Sequence, residues 1–215
     1  MKRSGRYDIS ALDEAQFELG SRGRVLKNLL GIKSKREMDK VEAREQLRAL
    51  DELVGIYGPR PRFTSADICK IHMIWLGSIY PWAGRYRRVN LSKGQFPFAA
   101  AEQIPRLMEH FEKSFLYEYT PCNFKELGKI IRAIAVVHTE LILIHPFRDG
   151  NGRVGRLLSF LMALQAKLPP LDFTEVKGKK KQEYFAAVQA GMDRNYRPME
   201  KIFREVIDRT PQTQE

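Results

Sequence analysis

His145-Pro146-Phe147-Arg148-Asp149-Gly150-Asn151-Gly152-Arg153-Val154-Gly155-Arg156 packs a titratable base, a carboxylate, a glycine-rich turn and two motif arginines into one short stretch. Before it, residues 124–144 carry Leu127, Ile130, Ile131, Ile134, Val137, Leu141 and Ile144 with little polar face, which predicts a helix buried in the middle of the domain, capped by Asn123. Pro146 does not continue a helix, so the chain leaves it near His145 and loops through Asp149 to Gly152. It then re-enters a helix carrying Val154, Leu157, Leu158, Leu161 and Met162. The stretch is a helix–loop–helix junction, and its glycines bring backbone N–H groups to the start of the second helix, where an anion is favoured.

Outward from this junction the periodicity stays helical. Residues 11–29 and 35–56 have apolar residues at three- and four-residue spacing and predict amphipathic helices. Thr64-Ser65-Ala66-Asp67 reads as an N-cap opening a helix to about Ile79. Between Gly84 and Phe98 the pattern changes. Tyr86, Val89 and Leu91 favour strands and Ser92-Lys93-Gly94 a turn, so a short hairpin is expected. Further helices are expected over 102–117, 180–193 and 199–207. The fold class is mostly α, with one β-hairpin.

A chain of 215 residues, 43% hydrophobic, can bury a real core. No signal peptide or apolar run of spanning length is visible, so a cytoplasmic protein without a membrane partner is expected. Cys69 and Cys122 are too few for a thiolate metal site and read as ordinary thiols. The net charge of +11 favours phosphate-bearing or acidic partners, although solvated basic faces explain it equally well.

The chemistry of the junction follows from its residue types. His145 can act as a general base, and Asp149 can hold Mg²⁺ bridging two phosphates. Gly150, Asn151 and Gly152 offer a phosphate the backbone N–H groups from 150 through 153. Arg153 and Arg156, three apart and so on one side of the helix, suit a di- or triphosphate. Phe147 reads as a packing anchor. His72 and His110 read as structural or exposed, and His138 as core or as support for the site. Gly150 to Gly155 also satisfies G-x-G-x-x-G, but that dinucleotide fingerprint needs a preceding strand, and here a helix precedes. A rival reading is a nucleic-acid-binding module, suggested by the net charge and by Arg85-Tyr86-Arg87-Arg88, where basic residues interleave with an aromatic.

The stretch matches H-x-F-x-[DE]-G-N-G-R-x-x-R at every specified position and so resembles the signature of Fic domains. Pro81-Trp82-Ala83-Gly84 with the following residues to Phe98 is similar to that family's flap hairpin, and Tyr184 to Phe203 to its closing helices. The resemblance implies a helical bundle with a hairpin flap, a Fic domain over 61–208, an N-terminal helical extension over 1–60 and a tail over 209–215. It implies transfer of AMP from ATP, with Mg²⁺, to a hydroxyl side chain of a target protein. His145 would be the base, Asp149 the metal ligand, Gly150, Asn151 and Gly152 the phosphate loop, and Arg153 and Arg156 the contacts to outer phosphates. Lys93 or Phe96 on the flap would clamp the acceptor. Gly152 stands where a kinase-like branch of the family has lysine, which favours AMP transfer; other nucleotides or phosphate-containing donors stay open. Many members carry an inhibitory [ST]-x-x-x-E-[GN] helix, but no glutamate here is followed by Gly or Asn. The resemblance therefore implies either a separate antitoxin-like inhibitor acting at Arg156 or no restraint of this kind.

Overall fold

The computed structural model describes residues 12–59, 61–174 and 178–209. Eight α-helices occur among them, together with one two-stranded antiparallel hairpin. The order is α1 (Lys35–Ile56), α2 (Ser65–Leu76), β1 (Ser92–Lys93), β2 (Phe96–Pro97), α3 (Ile104–Phe111), a π-helical stretch, α4 (Tyr117–Tyr119), α5 (Leu127–Ile144), α6 (Asn151–Gln165), α7 (Lys179–Ala190) and α8 (Arg197–Arg209). The mostly α fold with a hairpin is the expected class.

α5 is the central element. Its sequence is apolar nearly all round, and Ile130, Ile131, Ile134, Val137 and Leu141 are buried on it. α6 returns along it, with α2, α3, α7 and α8 also packing around this pair. The hydrophobic cluster so formed also takes in Val25, Leu26, Met38, Ala49 and Leu53, so the N-terminal segment shares the core that carries the junction.

The start of α2 follows its sequence closely. Thr64 Oγ1 accepts from the Asp67 N–H and Asp67 Oδ2 accepts from the Thr64 N–H, a complete capping box. The helix stops at Leu76 rather than Ile79, because its last turn gives way to the tight turn at Gly77.

Three expectations need correction. Residues 12–29 are not a helix: a 3₁₀ turn at Asp13–Ala15 leads into a single bridge between Phe17 and Leu26. Gly20, Arg22 and Gly23 take positive φ, a conformation that breaks a helix and that glycine adopts at little cost. Residue 11, the start of that expected helix, and the tail beyond 209 lie outside the described residues.

The hairpin is shorter than its strand formers suggest. Ser92 pairs with Pro97 and Lys93 with Phe96, so Ser92 and Lys93 are strand, and the turn is Gly94-Gln95 with Gly94 at φ 59°. Tyr86 and Val89 are not in a strand because the chain there is tied elsewhere: the Arg87 N–H donates to the Pro146 carbonyl at 2.8 Å. Finally, α5 begins at Leu127, and Asn123 does not cap it. The preceding segment is satisfied from α6, where Gln165 Oε1 accepts from the Cys122 N–H at 2.8 Å and Gln165 Nε2 donates to the Pro61 carbonyl at 2.7 Å.

Candidate active site

The α5–α6 junction is a left-handed corner. His145 ends α5 at φ 54°, ψ 59°, and Gly150 opens α6 at φ 83°. A non-glycine residue in that region costs about 1–2 kcal/mol, so His145 must be held there by its surroundings. Its N–H donates to the Leu141 carbonyl at 3.0 Å, and its own carbonyl accepts from Arg87 Nε at 2.7 Å.

At Gly150 glycine is required twice over. Besides the positive φ, a Cβ would lie 2.8 Å from Trp75 Cζ3 and 3.2 Å from Cη2. Gly150→Ala is expected to destabilise the fold by about 2–4 kcal/mol, from backbone strain together with overpacking against the indole. A urea midpoint shift of less than half a molar would contradict that account.

The His145 ring is oriented from two sides. Nδ1 lies 3.1 Å from the Ile142 carbonyl, which can only accept, so Nδ1 carries the proton and Nε2 keeps a free lone pair. Phe98 stacks on the ring with centroids 3.6 Å apart and planes 11° apart. The loop is held by Asn151, whose Oδ1 accepts from the Phe147 N–H and whose Nδ2 donates to the Phe147 carbonyl, both at 2.8 Å. Asn151 thus shapes the loop with its side chain and can meet a ligand through its backbone.

The expectation of four free loop N–H groups is corrected to two. The Gly150 N–H donates to Asp149 Oδ1 at 2.6 Å and the Arg153 N–H to the Gly150 carbonyl at 2.9 Å. The N–H groups of Asn151 and Gly152, in the first turn of α6, have no acceptor among the described residues. They are the donors this helix start offers an anion.

All nine residues selected from the sequence line one cavity of about 420 Å³. Lys93 and Phe96 reach it from the hairpin, and Lys93 Nζ also sits 3.6 Å over the Phe185 ring of α7. The remaining wall is mostly apolar and aromatic, from Ile142, Phe98, Tyr184, Phe185 and Val188, with Gln189 beside them. The Asp149 side chain is half exposed, and its Oδ1 is 3.8 Å from Arg153 Nη2. Among the described residues there is no cluster of three or more side chains able to ligate a metal. A cation here would take one carboxylate and complete its shell with water and ligand oxygens, a donor set that suits Mg²⁺.

Four further residues support the site, and of these the sequence suggests such a role only for His138. His72 is fully buried, stacked at 3.9 Å and 4° on Phe147. Its Nδ1 accepts from the Gly84 N–H at 2.7 Å, so the proton on Nε2 faces the Asp149 carbonyl at 3.2 Å. His138 is likewise buried, between Ser159 Oγ at 3.1 Å and the Tyr184 hydroxyl at 2.7 Å, and so links α5, α6 and α7. Arg87 and Glu42 are the other two. Phe147, the expected anchor, is fully buried.

Burial lowers the pKa of His72, His138 and His145 to about 4 in each case. The unfolded chain would protonate these rings near 6.5, so between pH 6.5 and 4 it binds protons that the folded chain refuses. Stability is therefore fully present above pH 6.5 and is lost as the pH falls toward 4. At pH 5 the loss should be roughly 2 kcal/mol for each ring. Urea midpoints at pH 7.5 and 5.0 read this directly, and equal midpoints would refute it.

The sequence model of the Fic/DOC family matches residues 62–163. The protein adenylyltransferase Fic of Aedes aegypti is 31% identical over 150 residues, which are 68% of this chain and 28% of that protein. Protein adenylyltransferase VbhT of Bartonella schoenbuchensis is 29% identical over 143 residues, 66% of this chain and 29% of its own. The chain thus spans under a third of the length of these two relatives. Among solved structures, the N-terminal Fic domain of a Bartonella quintana cell filamentation protein superposes with a TM-score of 0.73 at 24% identity, covering 92% of this chain and 93% of that one. BepC of Bartonella tribocorum, solved with bound AMPPNP, gives 0.71 at 22% identity over 92% and 98%. With the signature complete on a helical core and its hairpin alongside, the chain belongs to the Fic/DOC family.

Proposed function

We propose that this chain is a protein adenylyltransferase, moving AMP from ATP to a Tyr, Ser or Thr hydroxyl of a target protein and releasing pyrophosphate. The observation that carries the reading is the single cavity on which the motif residues and the hairpin residues converge. The names of the Aedes and Bartonella relatives and the nucleotide analogue bound to BepC support it.

In this reading the acceptor hydroxyl approaches His145 Nε2. The oxygen bonds to the α-phosphorus, its proton passes to Nε2, and the bond from that phosphorus to the β-bridging oxygen breaks. The electron pair leaves with pyrophosphate. The N–H groups of Asn151 and Gly152 hold phosphate oxygens at the positive end of α6, and Arg153 and Arg156 counter the outer phosphates. Asp149 would hold Mg²⁺, which supplies charge neutralisation between the phosphates. An extended target segment would add to the hairpin edge, with Lys93 and Phe96 registering it. The catalytic unit would be 61–208 with 1–60 as its extension, and any restraint would come from a separate antitoxin-like protein at Arg156.

The test is incubation of purified protein with Mg²⁺ and ATP labelled at the α- or the γ-phosphate, with cell lysate as acceptor and His145→Ala as control. Covalent α-label absent from the mutant is the expected result. Transfer of γ-label alone would make the chain a phosphate donor. Neither label on protein, with salt-sensitive retention of nucleic acid, would move the basic-module reading ahead.

A further inference from the structure

Glu42 lies on α1, twenty residues before the stretch that the family model matches, and it is 2% exposed. Both of its oxygens are occupied. Oε1 accepts from the Tyr80 hydroxyl at 2.7 Å, and Oε2 accepts from Arg153 Nη1 at 2.5 Å. Its carbonyl accepts from Trp75 Nε1 at 2.9 Å, and the Arg153 guanidinium lies over that same indole, 4.4 Å from the ring centroid. Arg153 is thus held at one edge by a carboxylate and across its plane by an aromatic face. Its other edge lines the cavity near Asp149.

We propose that Glu42 is a positioning residue for Arg153, fixing the guanidinium for a nucleotide's phosphates before the nucleotide arrives. The inference rests on the reading of the cavity as the ATP site. An arginine has several rotatable bonds, and freezing them during binding weakens the complex; freezing them beforehand removes that cost. Of five N–H donors, one is committed to Glu42, and the planar fork still presents the rest in a defined direction. The N-terminal helix α1 is then part of the working site.

The test is a cycle of Glu42→Gln, Arg153→Ala and the double variant, in the full chain. Mg–ATP affinity is measured by calorimetry, and KM and kcat by α-label transfer. Glutamine keeps an acceptor for Tyr80 but loses the charge that holds the guanidinium. Loss of one charge-assisted contact predicts a rise of about tenfold in Kd and KM, with kcat changed less than about threefold. In the Arg153→Ala background the same substitution should change neither. Equal losses in both backgrounds would mean a general packing role and overturn the proposal, as would tighter Mg–ATP binding by Glu42→Gln, which would make Glu42 a competitor of the phosphates. If Glu42→Gln does not fold, Glu42→Asp, which keeps the charge but shortens its reach, is carried through the same cycle under the same criteria. A wild-type chain that binds no Mg–ATP would overturn the nucleotide reading and this proposal with it, whereas wild-type binding with an inert Glu42 overturns the proposal alone.

Discussion

His145→Ala is expected to lower AMP transfer by about 10²–10⁴-fold, the usual contribution of a positioned general base, while Mg–ATP binds within threefold of wild type. The expectation rests on the ring's geometry. With its Nδ1 proton directed at the Ile142 carbonyl and Phe98 flat against one face, the imidazole is left with a single useful atom, Nε2. Burial lowers its pKa to about 4, so at neutral pH essentially every ring is the free base. The rate should therefore be flat from pH 6 to 8, where an unperturbed histidine would show a break near 6.5. Transfer that survives the alanine within threefold, measured with α-labelled ATP, would show that the hydroxyl loses its proton to another group or to water. Because, among the described residues, no hydrogen bond joins His145 to Asn151, Gly152 or either motif arginine, a matching loss of nucleotide affinity would point instead to collapse of the corner.

The corner itself was legible because its signals are local. A buried apolar helix, a proline, two glycines and a new apolar register fix a helix–loop–helix whatever packs around it, and Thr64 with Asp67 fixes the start of α2 in the same way. The first segment departs from its helical apolar spacing because Gly20 and Gly23, at positive φ, turn the chain back on itself. Glu42 left a trace that periodicity alone can find: Met38, Ala49 and Leu53 are the buried stripe of α1, and a glutamate stands on that stripe. A carboxylate in a buried register needs a partner, but nothing in the sequence says that the partner lies more than a hundred residues away. Arg87 left no such trace. It sits among strand-forming residues, and its partners are main-chain carbonyls, which every sequence offers everywhere.

That absence of a sequence signal makes Arg87→Ala the most informative stability test, with an expected loss of about 3–5 kcal/mol. The side chain is 1% exposed. Nε donates to the His145 carbonyl, Nη1 to the Val89 carbonyl and Nη2 to the Ala99 carbonyl, all at 2.7 Å. The His145 carbonyl closes α5, whose C-terminal end carries the negative pole of the helix, so the cation is balanced by peptide dipoles. Removing it leaves buried carbonyls without a donor, at about 1–3 kcal/mol each before relaxation. Lysine cannot repair the site, since one ammonium at the end of a flexible stem does not reproduce a planar fork with three separated acceptors. Arg87→Lys should therefore recover less than half of the loss. Val89 and Ala99 flank the hairpin and His145 is the proposed base, so the same guanidinium fastens the hairpin, the proposed target-binding flap, to the α5–α6 corner. The loosened variant should consequently show a KM for target protein raised by more than its KM for ATP, even at a temperature where it stays folded. A urea midpoint within half a molar of wild type would mean that water replaces the guanidinium at all three carbonyls, and the flap would then owe its place to Phe98 on His145 and Lys93 on Phe185 instead.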